Sequence, residues 1–182
     1  AVEEDGAIAR VKPGTVLGEV TRFCVVRAFR GTRVAALLFG GLRRESEAHG
    51  VTHWLAAANM ETDSSEDADV AYRLVQQKHL MSDDFAARAR AAARPNRTAR
   101  RFIYTDEQRR AARRGALTDL KLPKTLGLFA NKMGARYIGP PSYDAYFNVF
   151  ALPLAVRLAD LVPAPPPAVR AAEFSPAPRL FL

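Results

Sequence analysis

The sequence predicts a single α/β or α+β domain, and three observations predict it. Read along the chain, the elements run strand, basic turn, helix, strand, helix and late strand, so helices alternate with strands. The 182 residues make about one domain's length. Hydrophobic residues at 48% and charged residues at 25% are an ordinary globular mixture, which excludes wholesale disorder.

Each element has its own signal. Residues 16–26 (VLGEVTRFCVV) are rich in β-branched types and read as a strand. Alternation puts Glu19 on one face with Leu17, Thr21, Phe23 and Val25, and Arg22 on the other. Residues 27–32 form a basic turn. Residues 33–49 read as a helix, with Val34, Leu37, Leu38 and Leu42 at spacings of three and four and Gly50 as a stop. Residues 51–59 are a second strand, smooth at Ala56, Ala57 and Ala58. Residues 65–80 are a helix whose stripe is Ala68, Ala71, Tyr72 and Val75, capped by Ser64 or Ser65, with acids at its start.

Residues 82–101 carry little pattern. Residues 102–104 are a short strand candidate. Thr105 with Gln108 matches a capping box for a short basic helix ending at Gly115. Pro123 opens a further helix with Leu126, Phe129, Ala130 and Met133 as its apolar stripe. Residues 146–152 read as a last strand. Six of the twelve prolines fall between Pro163 and Pro178, so 1–161 is expected to be the domain and 162–182 an extended tail ending in LFL.

The net charge of +8 calls for an acidic partner: nucleic acid, an anionic membrane, a phosphorylated cofactor or an acidic protein. Ten arginines lie between Arg88 and Arg114, opposed only by Asp106 and Glu107. That segment is expected to be either a solvated stretch or an anion-docking face. No run of 18 apolar residues exists, so no membrane-spanning helix is expected. No charged-then-apolar leader is visible in this sequence, so the expected location is the cytoplasm, with peripheral membrane contact as a further option. The single Cys24 excludes an intramolecular disulfide framework and is expected to be a buried, structural thiol. His49, His53 and His79 show no metal-ligand spacing.

The chemistry concentrates where strand 16–26 passes through the turn into helix 33–49. Backbone N–H groups entering a helix N-terminus bind anions, and Arg27, Arg30 and Arg33 flank that turn. The unit suits a phosphate or pyrophosphate.

The segment VLGEVTRFCVVRAFRGTRVAALLFGGL resembles the central part of the GNAT acyltransferase superfamily. It is most similar to the branch of N-acyl amino acid synthases, acyl-homoserine lactone (autoinducer) synthases and ornithine-lipid N-acyltransferases. Glu19 and Arg22 match that branch's Glu-x-x-Arg strand, and Arg30, Gly31, Thr32 and Arg33 occupy the acyl-carrier turn, Arg33 standing where Gly is usual. LPKTLGLFANKMGARYIGPPSYDAYFNVF resembles the branch's C-terminal part, with a Gly-Ala-Arg turn at 134–136, a Tyr-Asp pair at 143–144 and Phe147-Asn148 on the final strand. Together these cover roughly residues 16–155.

The resemblance implies a mixed, mostly antiparallel sheet flanked by helices. Only fifteen residues precede the matching strand, so part of the usual N-terminal half is expected to be lacking. The implied activity is N-acyl transfer to the amine of an amino acid or similar small amine. The acyl group would come from phosphopantetheine on an acidic acyl carrier protein, or from acyl-CoA, with no tightly bound cofactor. Glu19 would orient or deprotonate the amine, directly or through a water, and Arg22 shares its motif. A backbone N–H near 24–26 would polarise the thioester carbonyl. Val25, Arg27, Arg30, Gly31 and Arg33 would hold the pantetheine phosphate. Ala57 and Asn59, on the small-residue strand, with Phe23, Trp54 and Phe147 would line the substrate site, joined by Phe129 and Phe150. Autoinducer synthesis is the alternative, disfavoured because it needs S-adenosylmethionine recognition that has no counterpart here. A non-enzymatic basic module is the alternative of another class. It would bind nucleic acid, for which no motif appears, or anionic membrane through the arginines and LFL end.

Overall fold

The computed structural model describes residues 11–21, 23–88 and 98–161. It is a mixed α/β structure built on an open, mostly antiparallel sheet of five strands. The strands are β1 (Leu17–Glu19), β2 (His53–Asn59), β3 (Arg136–Tyr137), β4 (Ser142–Asp144) and β5 (Val149–Arg157). The order is β1-β2-β5-β3, with β4 also on β5. β1 and β2 are parallel, and every pairing to β5 is antiparallel. The helices are α1 (Val34–Ala48), α2 (Ser65–Gln77), α3 (Asp106–Arg113) and α4 (Lys124–Met133).

β5 runs through the middle of the sheet and is buried on both faces, which is why it reads as a continuous apolar run rather than an alternating one. One face carries Trp54, Ala58, Leu152, Leu154 and Val156 into a core shared with Val70, Ala71, Leu74 and Val75 of α2 and Leu126 and Ala130 of α4. The opposite face is thinner. There Phe85, Ile138 and Ala155 pack with Leu17, Leu55 and Ala87.

The helix signals are realised at their ends. Ser64 Oγ accepts from Asp67 N at 3.3 Å, and Glu66 and Asp67 stand in the first turn of α2. Thr105 and Gln108 form both arms of the capping box on α3. α4 starts after Pro123 and ends at Gly134, whose φ of 62° is the left-handed C-cap that favours glycine.

Three strand expectations are corrected. Of 16–26, only Leu17–Glu19 is strand. Val20 N still donates to Leu55 O at 2.8 Å, and then the chain leaves the sheet. β-branched composition does not hold an edge segment there, because Arg30 Nε draws back onto Val25 O and Phe23 packs on α1 instead. Residues 102–104 form no strand: the N–H groups of Ile103 and Tyr104 donate to the Asp67 carboxylate. The last strand begins at Val149, so Phe147 and Asn148 lie in the turn before it. Asp144 Oδ1 accepts from Tyr146 N and Phe147 N, and Asn148 takes a φ of 54°, which together close that turn. β3 and β4 carry no periodic signal of their own, since two and three residues are too few to show one. The proposed tail 162–182 lies outside the described residues.

Candidate active site

The site begins where β1 and β2 part. β2 pairs with β5 over all seven of its residues but with β1 only from His53 to Leu55. Leu55 turns its carbonyl to Val20 N, on the β1 side. Alternation turns the backbone groups of Ala57 and Asn59 to the same side, past the end of β1. Pro153 gives an independent check. It stands opposite Ala57, has no N–H, and its carbonyl accepts from Ile138 N at 3.0 Å on the far side. Ala57 therefore directs its N–H and C=O into the gap rather than toward β5. Ala57 and Asn59 are both exposed.

Glu19 is the last residue of β1, in register with Leu55, and is exposed. The register puts it on the same face as Ala57 and Asn59. Arg22 lies outside the described residues. The segment 24–26, where a polarising N–H is expected, is not strand; the backbone groups beside the gap are those of Ala57 and Asn59.

The basic turn stands at the end of the diverging segment. Arg27–Phe29 form a single 3-10 turn, and Gly31 follows with a φ of 79° and open space around it. That reversal needs glycine, and it aims the next residues into α1. Thr32 Oγ1 donates to Phe29 O at 2.6 Å and accepts from Val34 N at 3.3 Å. Arg33 is the N-cap, with no side-chain cap and no acid in the first turn of α1. Arg27, Arg30 and Arg33 are exposed around this helix start. Cys24 is exposed too, contrary to the expected buried thiol.

The substrate residues divide between places. Ala57 and Asn59 line the gap. Trp54 is buried on the opposite face, where its Nε1 donates to Ser46 Oγ at 2.8 Å. It floors a groove of about 340 Å³ between α1 and α4, with Phe39, Leu128, Phe129, Met133 and Leu161 as apolar walls and Arg43 and Lys132 as its cations. Phe23 reaches this side by stacking on Phe39 at 4.2 Å between ring centroids. Phe147 does not line this groove: it stacks edge-on against Tyr146 in the exposed turn before β5. Phe150 pairs with Tyr143 elsewhere in the core. The expected single aromatic pocket thus reduces to Trp54 and Phe129, with Phe23 at one remove. Sequence reasoning missed Phe39, Arg43, Leu128 and Lys132. The signal was present as two i,i+4 pairs, each an apolar residue followed by a cation.

The arginine segment is not a uniform docking face. Arg109 is buried and pairs with Asp67 at 3.0 Å and with Asp106, while Arg113 pairs with Glu66. The carboxylates raise the Arg109 pKa against burial, which alone would lower it. Arg101 donates to Asn148 O. Arg90, Arg94 and Arg97 lie outside the described residues. The acidic stretch before α2 is the partner of this basic one. Asp63 Oδ1 accepts from Arg100 N and Arg101 N, and Asp67 receives Ile103 N at 2.6 Å.

His53, between the thinner face and Arg157, has its pKa lowered, first by burial and then by the arginine charge. Comparisons with protein-family models, with curated proteins and with solved structures return no match.

Proposed function

We propose that the chain is an N-acyltransferase of the GNAT type, moving an acyl group from a phosphopantetheine thioester to the amine of an amino acid or similar small amine. The observation that carries this reading is the early parting of β1 from β2 beside a basic turn that opens α1. A pantetheine arm is an extended chain with two amide groups. It suits an open strand edge, where Ala57 and Asn59 offer backbone donors and acceptors and small or polar side chains. Its phosphate suits the start of α1, which has no acid in its first turn and has Arg27, Arg30 and Arg33 around it. The mixed, mostly antiparallel open sheet with helices packed on one face is consistent with the α+β class the sequence resemblance implies.

In this reading the amine nitrogen attacks the thioester carbonyl carbon. The C–N bond forms, the C–S bond breaks, and the pantetheine sulfur leaves as the thiolate, which becomes the thiol by taking up the proton that the amine gives up through Glu19. Glu19 takes the amine proton, directly or through a water, from the face it shares with Ala57. A backbone N–H of the open edge stabilises the oxyanion. An aliphatic acyl chain passes to the groove floored by Trp54 and walled by Phe129. The donor is an acyl carrier protein, acidic as such carriers are, or acyl-CoA, and cation-rich turn 27–33 favours either.

The test is an acylation assay with acyl carrier protein or acyl-CoA and a panel of amino acids, products read by mass spectrometry. An N-acyl amino acid is the expected product, and no acylated amine with either donor overturns the proposal. Glu19→Gln should lower turnover about 100-fold or more while carrier binding is kept. Full turnover in that variant removes Glu19 from the role.

A further inference from the structure

We propose that residues 23–38 form a membrane-attachment surface that enters the interface of an anionic lipid bilayer. Phe23, Val26, Phe29, Leu37 and Leu38 are each between 40% and 67% exposed, within sixteen residues of chain. Isolated exposed apolar side chains are ordinary, but five bulky ones on one turn and the helix it opens are a patch with a purpose. From Val20 to Arg44 the sequence holds six arginines and no Asp or Glu. Arg27, Arg30 and Arg33 alternate with the apolar residues and are exposed with them.

The patch is built as one body. Phe23 is held against Phe39 of α1, Arg30 Nε is fixed on Val25 O, and Thr32 locks the turn to Phe29 O. Exposed apolar side chains interspersed along the chain with arginines, whose stems are aliphatic, fit a headgroup boundary: the rings and aliphatics enter, and the guanidinium groups reach lipid phosphates. An acidic protein is the other anionic partner. A carrier protein would engage the cations alone, whereas a bilayer takes up both the guanidinium groups and the exposed Val26, Phe29, Leu37 and Leu38. The bilayer is thus the better match. The inference is independent of the acyl-transfer reading, although both use the arginines of the turn.

The experiment is co-sedimentation of the full chain with vesicles of phosphatidylcholine alone and of phosphatidylcholine with phosphatidylglycerol. Binding is expected only with phosphatidylglycerol, weakening as salt is raised. Arg30→Ala should weaken binding about five-fold. Phe29→Ser combined with Leu38→Ser should weaken it by about ten-fold or more. Arg110→Ala with Arg114→Ala, on the exposed side of α3, should leave it unchanged. Thermal unfolding followed by the fluorescence of Trp54, the one tryptophan, checks that each variant is folded. Absence of binding to the anionic vesicles overturns the proposal. So does equal loss in the α3 variant, or undiminished binding by a folded Phe29→Ser/Leu38→Ser variant. Protection of 23–38 by an acidic carrier protein but not by vesicles assigns the surface to a protein and overturns it as well. Turnover measured without lipid reports on the acyl-transfer reading alone, so the two fail separately.

Discussion

Arg109 lies where an arginine has most to lose. It is buried on α3, and its guanidinium meets the fully buried Asp67. Removing the cation leaves a carboxylate with no compensating charge in the core, which costs about 3–5 kcal/mol. Arg109→Met is therefore expected to unfold at clearly lower urea, and Asp67→Asn as well, because Oδ1 accepts from Arg109 and Oδ2 from Ile103 N, so an amide nitrogen in either place faces a donor. A denaturant series on both variants reads the losses, and wild-type stability in either would contradict a buried pair. Gly139 is constrained differently. A Cβ there would stand 2.6 Å from Ala87 O, a backbone atom with nowhere to go. Gly139→Ala should cost about 1–3 kcal/mol and loosen the 82–87 segment from β3, seen as lower thermal stability and faster amide exchange at Ala87.

At the level of elements, the caps set where helices begin. Thr105→Ala removes one arm of the box on α3 and should cost about 1 kcal/mol, read by thermal melting. This was also the most legible part of the sequence. Thr105 with Gln108 and Ser64 before its acids each announced a helix start through a local bond, and Pro123 announced one through its fixed φ. The strands were legible only where tertiary partners agreed with composition. VLGEVTRFCVV is as β-prone as β2, yet only three of its residues pair, because a strand at the edge has one neighbour and Val25 and Phe23 find other contacts. Residues 102–104 lost their backbone donors to Asp67, a residue more than thirty positions away that no local pattern names. The candidate site divides the same way. Glu19 was named through the resemblance and the arginine turn through its local charge; the structure places Glu19 at the end of β1 and the turn just before α1. The groove was half visible, since Trp54 and Phe129 come from distant elements and Phe147 had equal claim by type. The Asp67–Arg109 pair was hidden because charge along the chain does not show which arginine turns inward.

Across the whole molecule, His53 and Asp63 are among the described groups that tie stability to pH. His53 has its pKa lowered from 6.5 by burial and by Arg157. The folded state thus holds fewer protons than the unfolded one just below that value, and stability is expected to fall as pH drops beneath about 6.5. Asp63 also has a lowered pKa: burial alone would raise it, but the N–H groups of Arg101 and Arg100 outweigh that. Its contribution is complete above 3.8 and is lost as pH falls through the lower folded value. Urea midpoints measured from pH 8 to pH 3 should show both declines, and His53→Gln should flatten only the upper one. A profile flat down to pH 5 would contradict the His53 assignment. The central position of β5 has a kinetic consequence. β2 finds its main partner about a hundred residues further along the chain, so while the polypeptide emerges from the ribosome α1, β2 and α2 wait with no sheet to close upon. Folding is then gated by synthesis of residues 149–157. A nascent chain stalled before Val149 should be open to protease throughout, and one stalled well past Arg157 should become resistant in a single step.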